Sequence, residues 1–251
     1  MQLIKATPFV VRTPAPNHGG YFFYFVKLET DSGLVGWGEM AVLFSLYGLE
    51  RSFERLIEDV FNRYLAGRDP MNREVLTRTL YAGLASQHAD YFAGGLISAF
   101  DIAMWDICGK ALGVPVCDLL GGRFRTRIRS YTYLYDVEGG SDLAASAAAW
   151  SSNPKRMGDI ALRIVEEGFT GVKLDPLRYT LPGTLPVAPW EISVGDYERA
   201  ERTIEAIRRA IGDRADIMIG THGQITPSVS RRLAKRLEKY DPLWLEEPCP
   251  R

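Results

Sequence analysis

Residues 157–174, MGDIALRIVEEGFTGVKL, contain a helix pattern followed directly by a strand pattern. Apolar residues recur at helical spacing over residues 157–167, Gly168 stops the helix, and residues 170–174 have the character of a short buried strand. A helix that leads into a buried strand is half of a βαβ unit. The stretch therefore predicts a parallel sheet covered by helices.

The same rhythm extends through the second half of the chain. Strands are predicted at residues 128–135, 170–174, 216–219 and 243–246, and helices at residues 157–167, 196–211 and 228–239. This alternation is typical of a (β/α) barrel, in which the loops that follow the strands form the active-site face. The long proline-containing segment at residues 176–195 is predicted to be one of these loops.

The first half has a different pattern, with strands before helices. Strands are predicted at residues 4–13, 21–30 and 34–39, and helices at residues 49–65, 72–84 and 95–112. The turn Asp31-Ser32-Gly33 favours an antiparallel meander, and Gly113 ends the last helix. We therefore predict an α+β domain at residues 1–125 followed by an α/β domain at residues 126–251.

Composition excludes several classes of function. The 251 residues include 30 Lys and Arg against 31 Asp and Glu, which gives a net charge of −1 and no basic surface for nucleic acid or an anionic membrane. No signal peptide and no run of about 18 apolar residues is found. Cys108, Cys117 and Cys249 show no metal-ligand spacing. We expect a cytoplasmic protein with reduced thiols that binds neither nucleic acid nor membranes.

Ionisable residues follow three of the predicted parallel strands. Lys173 and Asp175 are two residues apart and therefore point to the same face, His222 follows the next strand, and Glu246 ends the last one. Each has a plain structural explanation as an ion pair, a loop histidine or a solvated carboxylate. Four such groups at one rim are costly to bury without a ligand or a partner, which makes the rim a candidate site.

Two motifs in the first half resemble a known family. The sequence GGLISAFDIAMWDI at residues 94–107, continued by GKALGVP at residues 109–115, is similar to the end of the capping domain in the enolase superfamily, mandelate racemase type. The sequence GLVGWGE at residues 33–39 resembles the third strand of that domain. The likeness continues through the rim residues and covers nearly the whole chain.

The resemblance implies a capping domain on a (β/α) barrel and the chemistry of a sugar-acid (aldonate or aldarate) dehydratase. In that family Mg²⁺ binds the substrate carboxylate, a base removes the α proton, and an acid assists loss of the β hydroxyl. By position, Glu246 is implied as a metal ligand, His222 as the catalytic acid, and Lys173 as a catalytic group on the carboxylate or base side. His18 and Tyr21 are implied as substrate-binding residues. The partners implied are a small sugar acid and further copies of the chain in a homo-oligomer.

Two positions depart from the family pattern. Gly220 stands where the family has an aspartate as its first metal ligand, and Asp175 stands where a second basic residue is common. Because residues 175 and 220 end adjacent strands about 5 Å apart, one hypothesis makes Asp175 the replacement metal ligand. The alternative is an ion pair of Asp175 with Lys173 or Arg178.

The length sets the last expectation. After residue 125, 126 residues remain, whereas a full barrel takes about 250 residues, or about 31 for each βα unit. The second half therefore predicts about four of eight strands, a partial barrel that we expect to be inactive alone. The leading hypothesis is part of a magnesium-dependent sugar-acid dehydratase. The alternatives are a racemase or cycloisomerase of the same superfamily, and a non-catalytic fragment or pseudoenzyme.

Overall fold

The computed structural model of the chain describes residues 1–41, 50–85, 90–136, 152–177 and 191–250. The chain divides into two compact units, one formed by Met1–Pro14 with Gly19–Thr126 and the other by Ala15–His18 with Arg127–Arg251. Residues 178–190 of the predicted proline-containing loop, Arg178 among them, lie outside the described residues, as does an alanine-rich stretch at 137–151.

The first unit is an antiparallel sheet followed by helices, as predicted. Its strands β1 (Leu3–Arg12), β2 (Phe22–Thr30) and β3 (Val35–Met40) pair in the order β1-β2-β3. The helices that follow are α1 (Glu50–Tyr64), α2 (Arg73–Leu84), α3 (Tyr91–Leu112) and the short α4 (Val116–Leu119). Gly113 ends α3 in the left-handed conformation, with φ of 69°, so the predicted glycine stop is confirmed.

Two glycines let helix α3 lie directly on strand β3. A Cβ atom on Gly36 would stand 2.1 Å from the carbonyl oxygen of Ala103, and one on Gly38 would stand 1.9 Å from that of Ala99. These neighbours are backbone atoms, which cannot rotate away. Any side chain at either position would therefore push the helix off the sheet and open the core of this unit.

Helix α3 is the one helix in the described part of the chain that is long and apolar enough to cross a membrane by length and composition. Its residues Ala99, Phe100, Ala103 and Met104 are fully buried in the core of the first unit. Packing within the protein therefore accounts for its apolar composition.

The second unit contains a parallel sheet of four described strands, which confirms the predicted partial-barrel pattern of strands and helices. The strands β4 (Thr132–Tyr133), β5 (Gly171–Leu174), β6 (Asp216–Gly220) and β7 (Trp244–Glu246) pair in sequence order. The helices α5 (Pro154–Glu166), α6 (Val194–Ile211) and α7 (Pro227–Leu237) connect them.

Local sequence fixes where these helices begin. Asn153, Ser193 and Thr226 each accept a backbone N–H at the start of α5, α6 and α7. At α6 the side chain of Asp196 also accepts the backbone N–H of Ser193, which completes a capping box.

Strand β4 is shorter than the predicted strand at 128–135. Its ladder to β5 covers only the pairs Thr132 with Val172 and Tyr133 with Lys173. Before it, Arg129 uses its side chain in place of a ladder, donating to Thr170 Oγ1 at 2.7 Å and to Asp216 Oδ2 at 2.6 Å. The β-branched and aromatic residues thus correctly predicted a strand here, but the predicted strand is longer than the observed one.

The close contact of α3 with β3 leads to a stability prediction. We expect Gly38→Ala to lower the free energy of unfolding by about 1–3 kcal/mol or more, because the added methyl group meets immovable backbone. Urea denaturation followed by circular dichroism measures the change.

Gly195→Ala is the matched control, since its Cβ would meet nothing closer than 3.4 Å, the Nη1 atom of Arg199. We expect it to change the stability by about 1 kcal/mol at most. A Gly38→Ala protein as stable as wild type would contradict the close packing described.

Candidate functional site

The candidate site lies where the parallel strands β5, β6 and β7 end. The register pairs Leu174 with Ile219 and Gly220 with Glu246, so the three strands finish at the same edge of the sheet. The four ionisable residues expected at this rim form two contacts, one between Lys173 and Glu246 and one between Asp175 and His222.

The first contact is an ion pair that passes over strand β6. Lys173 Nζ on β5 donates to Glu246 Oε1 on β7. Lys173 is 5% exposed, and its ammonium also lies 5.2 Å from the ring centre of Tyr133 and 5.7 Å from that of Tyr131. A buried ammonium needs such partners, because its desolvation would otherwise be unfavourable. The Asp175–Lys173 pair considered from the sequence is therefore replaced by a Glu246–Lys173 pair.

Gly220 makes room for this ion pair. A Cβ atom at residue 220 would lie 3.1 Å from Lys173 Cε, 3.4 Å from the Tyr133 hydroxyl and 3.8 Å from Lys173 Nζ. The lysine thus fills the space that a side chain on β6 would take.

The second contact holds His222 with a buried carboxylate. Asp175 is fully buried, and its Oδ2 lies 3.5 Å from His222 Nδ1. Gln224 Nε2 donates to the same oxygen at 3.1 Å, and the backbone N–H of Leu177 donates to Oδ1 at 3.0 Å. Burial raises the pKa of the Asp175 carboxyl, and these three donors partly offset the effect.

The backbone of His222 is held in a conformation that non-glycine residues rarely adopt. Its φ is 51°, and Gly223 follows with φ of 67°. Hydrogen bonds from Gly223 N to Glu247 O (2.6 Å) and from Ile225 N to Pro248 O (3.1 Å) fix this turn against the chain that follows β7. Strain of this kind is typical of functional sites, and here it presents a histidine that is about one-third exposed.

A row of aromatic rings extends from His222. The Tyr133 hydroxyl lies 3.5 Å from His222 Nε2, and the ring of Tyr135 lies 6.0 Å from that of Tyr133. His18 packs edge-to-face on Tyr135, with ring centres 4.6 Å apart. The segment with His18 therefore belongs to the second unit, although the sequence assigned it to the capping domain.

Tyr21 belongs to the first unit, where its carbonyl oxygen accepts the N–H of Thr13 at 3.0 Å. Its substrate-binding role stays a prediction, as does that of His18.

Sequence reasoning missed three residues of the site. Tyr131 and Tyr133 lie against the Lys173 ammonium, and Gln224 holds Asp175. The tyrosines carried a readable signal, because residues 131, 133 and 135 are all tyrosine and alternate with the period of a strand. Gln224 carried none, since a loop side chain is placed by tertiary contacts.

The donor groups at the rim do not fit the magnesium ion that the family resemblance implies. Mg²⁺ takes oxygen ligands in octahedral geometry, whereas Glu246 is bound to an ammonium and both Asp175 oxygens accept protein donors. Within the described ranges, no group of three or more His, Cys, Asp or Glu side chains could hold a metal ion. The assignments of Glu246 and Asp175 as metal ligands stay predictions.

Family models match both halves of the chain. Residues 8–121 match the mandelate racemase / muconate lactonizing enzyme N-terminal domain, and residues 156–251 match the enolase C-terminal domain-like family. The chain belongs to the enolase superfamily, mandelate racemase subgroup. This membership confirms the resemblance drawn from the capping-domain motifs.

Curated relatives of this enolase-superfamily chain are dehydratases. The D-galactonate dehydratases of Pectobacterium atrosepticum and Ralstonia nicotianae are 31% and 33% identical to it over 233 residues, which are 89% of this chain and 51% of each relative. The chain therefore spans about half the length of the curated relatives it matches.

Solved structures agree with this likeness. A mandelate racemase/muconate lactonizing enzyme structure from Labrenzia alexandrii is 40% identical with a TM-score of 0.86, and the match covers 100% of this chain and 60% of that one. A candidate galactarate dehydratase from Agrobacterium radiobacter, bound to sodium and L-malate, is 27% identical with a TM-score of 0.74. This match covers 100% of this chain and 56% of that one.

The raised pKa of Asp175 leads to a prediction about stability and pH. The folded chain keeps this proton to a higher pH than the unfolded chain, so the associated stability is full at acidic pH and is lost as the pH rises through the folded pKa. We expect the stability of wild type relative to Asp175→Asn to fall as the pH rises from about 4, the pKa of an unfolded aspartate, through the raised folded pKa, as measured by urea denaturation.

The control is Asp159→Asn, which removes an exposed carboxylate that pairs with Lys155 at 3.2 Å. A flat difference between wild type and Asp175→Asn across this range would contradict the raised pKa.

Proposed function

We propose that the protein to which this chain belongs is a sugar-acid dehydratase, and that the rim of β5, β6 and β7 supplies part of its active site. The observation that carries the proposal is the exposed His222, held on a buried carboxylate beside an ammonium group. Relatives named D-galactonate dehydratase support elimination over racemization or cycloisomerization.

His222 supplies the acid in this proposal. Its Nδ1 faces Asp175, which fixes the ring, and its Nε2 faces the Tyr133 hydroxyl. In the reaction a general base takes the α proton, the electron pair of that C–H bond forms the C–C double bond as the β C–O bond breaks, and the departing hydroxyl takes a proton from Nε2 to leave as water. The resulting enol becomes a 2-keto-3-deoxy acid. A histidine suits the acid role because its proton is exchangeable near neutral pH.

Lys173 supplies positive charge for the substrate carboxylate. Its ammonium has three N–H donors, of which Glu246 accepts one. Its charge also neutralises that of Glu246, which would otherwise repel an anionic ligand at the same rim. This role agrees with the catalytic position that the sequence implied for Lys173.

The family resemblance implies that bound magnesium stabilises the charge that develops on the substrate carboxylate. The proton transfer proposed for His222 and the charge supplied by Lys173 do not involve that ion, because the rim donors do not fit it. The cytoplasmic location and the homo-oligomer also stay predictions.

A second candidate is a protein that binds sugar acids without turning them over. The observation that favours it is the combination of Gly220 with the Lys173–Glu246 ion pair, which removes one carboxylate and engages another. The two candidates share the binding site and differ in turnover.

The binding site is tested first. We expect the chain to bind D-galactonate in isothermal titration calorimetry, and Lys173→Met to weaken binding about tenfold or more, because the ammonium is lost and Glu246 is left unpaired. The matched control is Lys155→Met, which removes a lysine whose side chain is 89% exposed and should leave binding unchanged. Equal affinity for wild type and Lys173→Met would contradict a carboxylate site at this rim.

Turnover is tested on the full-length gene product with a panel of aldonates and aldarates, by the formation of 2-keto-3-deoxy acid. We expect His222→Asn to lower kcat by a factor of about 10² to 10⁴ while KM changes little, as for loss of a general acid. Binding without turnover in the wild-type protein would support the non-catalytic candidate. An active His222→Asn variant would refute the role of His222.

A further inference from the structure

A lysine stands beside Glu246, where the family resemblance implies a metal ion. Strand β6 contributes no side chain at Gly220, and the end of the Lys173 side chain occupies that space. A Cβ atom at residue 220 would stand 3.1 Å from Lys173 Cε, which is tighter than an ordinary contact, so an aspartate there would require the lysine side chain to shift. The glycine at residue 220 therefore accounts both for the missing carboxylate and for the room that the Lys173 side chain occupies.

The surroundings of the Lys173 ammonium resemble a binding site for a cation. Glu246 provides a carboxylate oxygen, and the rings of Tyr131 and Tyr133 present their electron-rich faces at 5.7 and 5.2 Å. The ammonium is buried, so its charge acts through a medium of low polarity and is weakly screened by salt. A divalent ion on the same side of Glu246 would meet a fixed positive charge at close range.

The other carboxylate at the rim is committed elsewhere. Asp175 is fully buried and accepts protein donors from Leu177 and Gln224, and it faces His222 Nδ1. To bind a metal it would have to give up these donors. Glu246 thus has a lysine as its near neighbour, and among the described residues no group of three or more His, Cys, Asp or Glu side chains could hold a metal ion.

We infer that Lys173 is a built-in cation that replaces the divalent metal at Glu246, so that this rim meets the carboxylate of a ligand with an ammonium group. The inference does not depend on the proposed dehydration, because metal binding is measured without any sugar acid.

The experiment measures Mn²⁺ binding, as a probe for Mg²⁺, by electron paramagnetic resonance of the free ion. We expect the wild-type chain to bind no more tightly than its Glu246→Gln variant. The double variant Lys173→Met/Gly220→Asp removes the ammonium and adds a carboxylate beside Glu246, and it should bind Mn²⁺ about tenfold more tightly than wild type. Adding Glu246→Gln to the double variant should abolish the gain.

The controls separate this effect from general changes of charge and folding. Lys155→Met removes an exposed lysine and should leave Mn²⁺ binding unchanged. Circular dichroism checks the fold of each variant. If Lys173→Met/Gly220→Asp does not fold, Lys173→Gln/Gly220→Asp, which keeps a polar group at the rim, replaces it in the experiment. Two results would overturn the inference. One is wild-type Mn²⁺ binding that Glu246→Gln weakens, and the other is a folded double variant that binds no better than wild type.

Discussion

The hydrogen-bonded ion pair between Lys173 and Glu246 organises the rim of the parallel sheet. The two residues lie on β5 and β7, with β6 between them, and the absence of a side chain at Gly220 leaves room for Lys173 at the crossing point. With the lysine engaged in this way, Asp175 is left to hold His222. The space at Gly220 thus contributes to which charges meet at the site.

The first unit depends on missing side chains in the same manner. Gly36 and Gly38 allow the backbone of α3 to approach β3 closely, and the apolar residues of the helix then complete the core. In the first unit the glycines admit a helix backbone, whereas in the second unit Gly220 admits a charged side chain. The consequences differ accordingly, since one contact sets the stability of a core and the other sets the charge of a site.

Membership in the enolase superfamily and this particular rim give different information. The family relation makes D-galactonate dehydratases relatives of this chain, and the acid role of His222 is proposed from that likeness. The rim itself places an ammonium beside Glu246. A carboxylate ligand at this site would therefore meet the protein's own positive charge, with His222 about one-third exposed next to it.

Apart from the short helix α4, the sequence by itself predicted the order and type of the described helices and strands, because apolar periodicity, glycine stops and capping residues act over short distances. It also placed Lys173, Asp175, His222 and Glu246 at one edge of the sheet, since residues that end parallel strands share an edge. It overestimated the length of β4, because the number of ladder pairs depends on the neighbouring strand. Only the tertiary structure decided that Lys173 pairs with Glu246 and Asp175 with His222. That choice depends on the space left at Gly220 and on donors such as Gln224, which no pattern along the chain encodes.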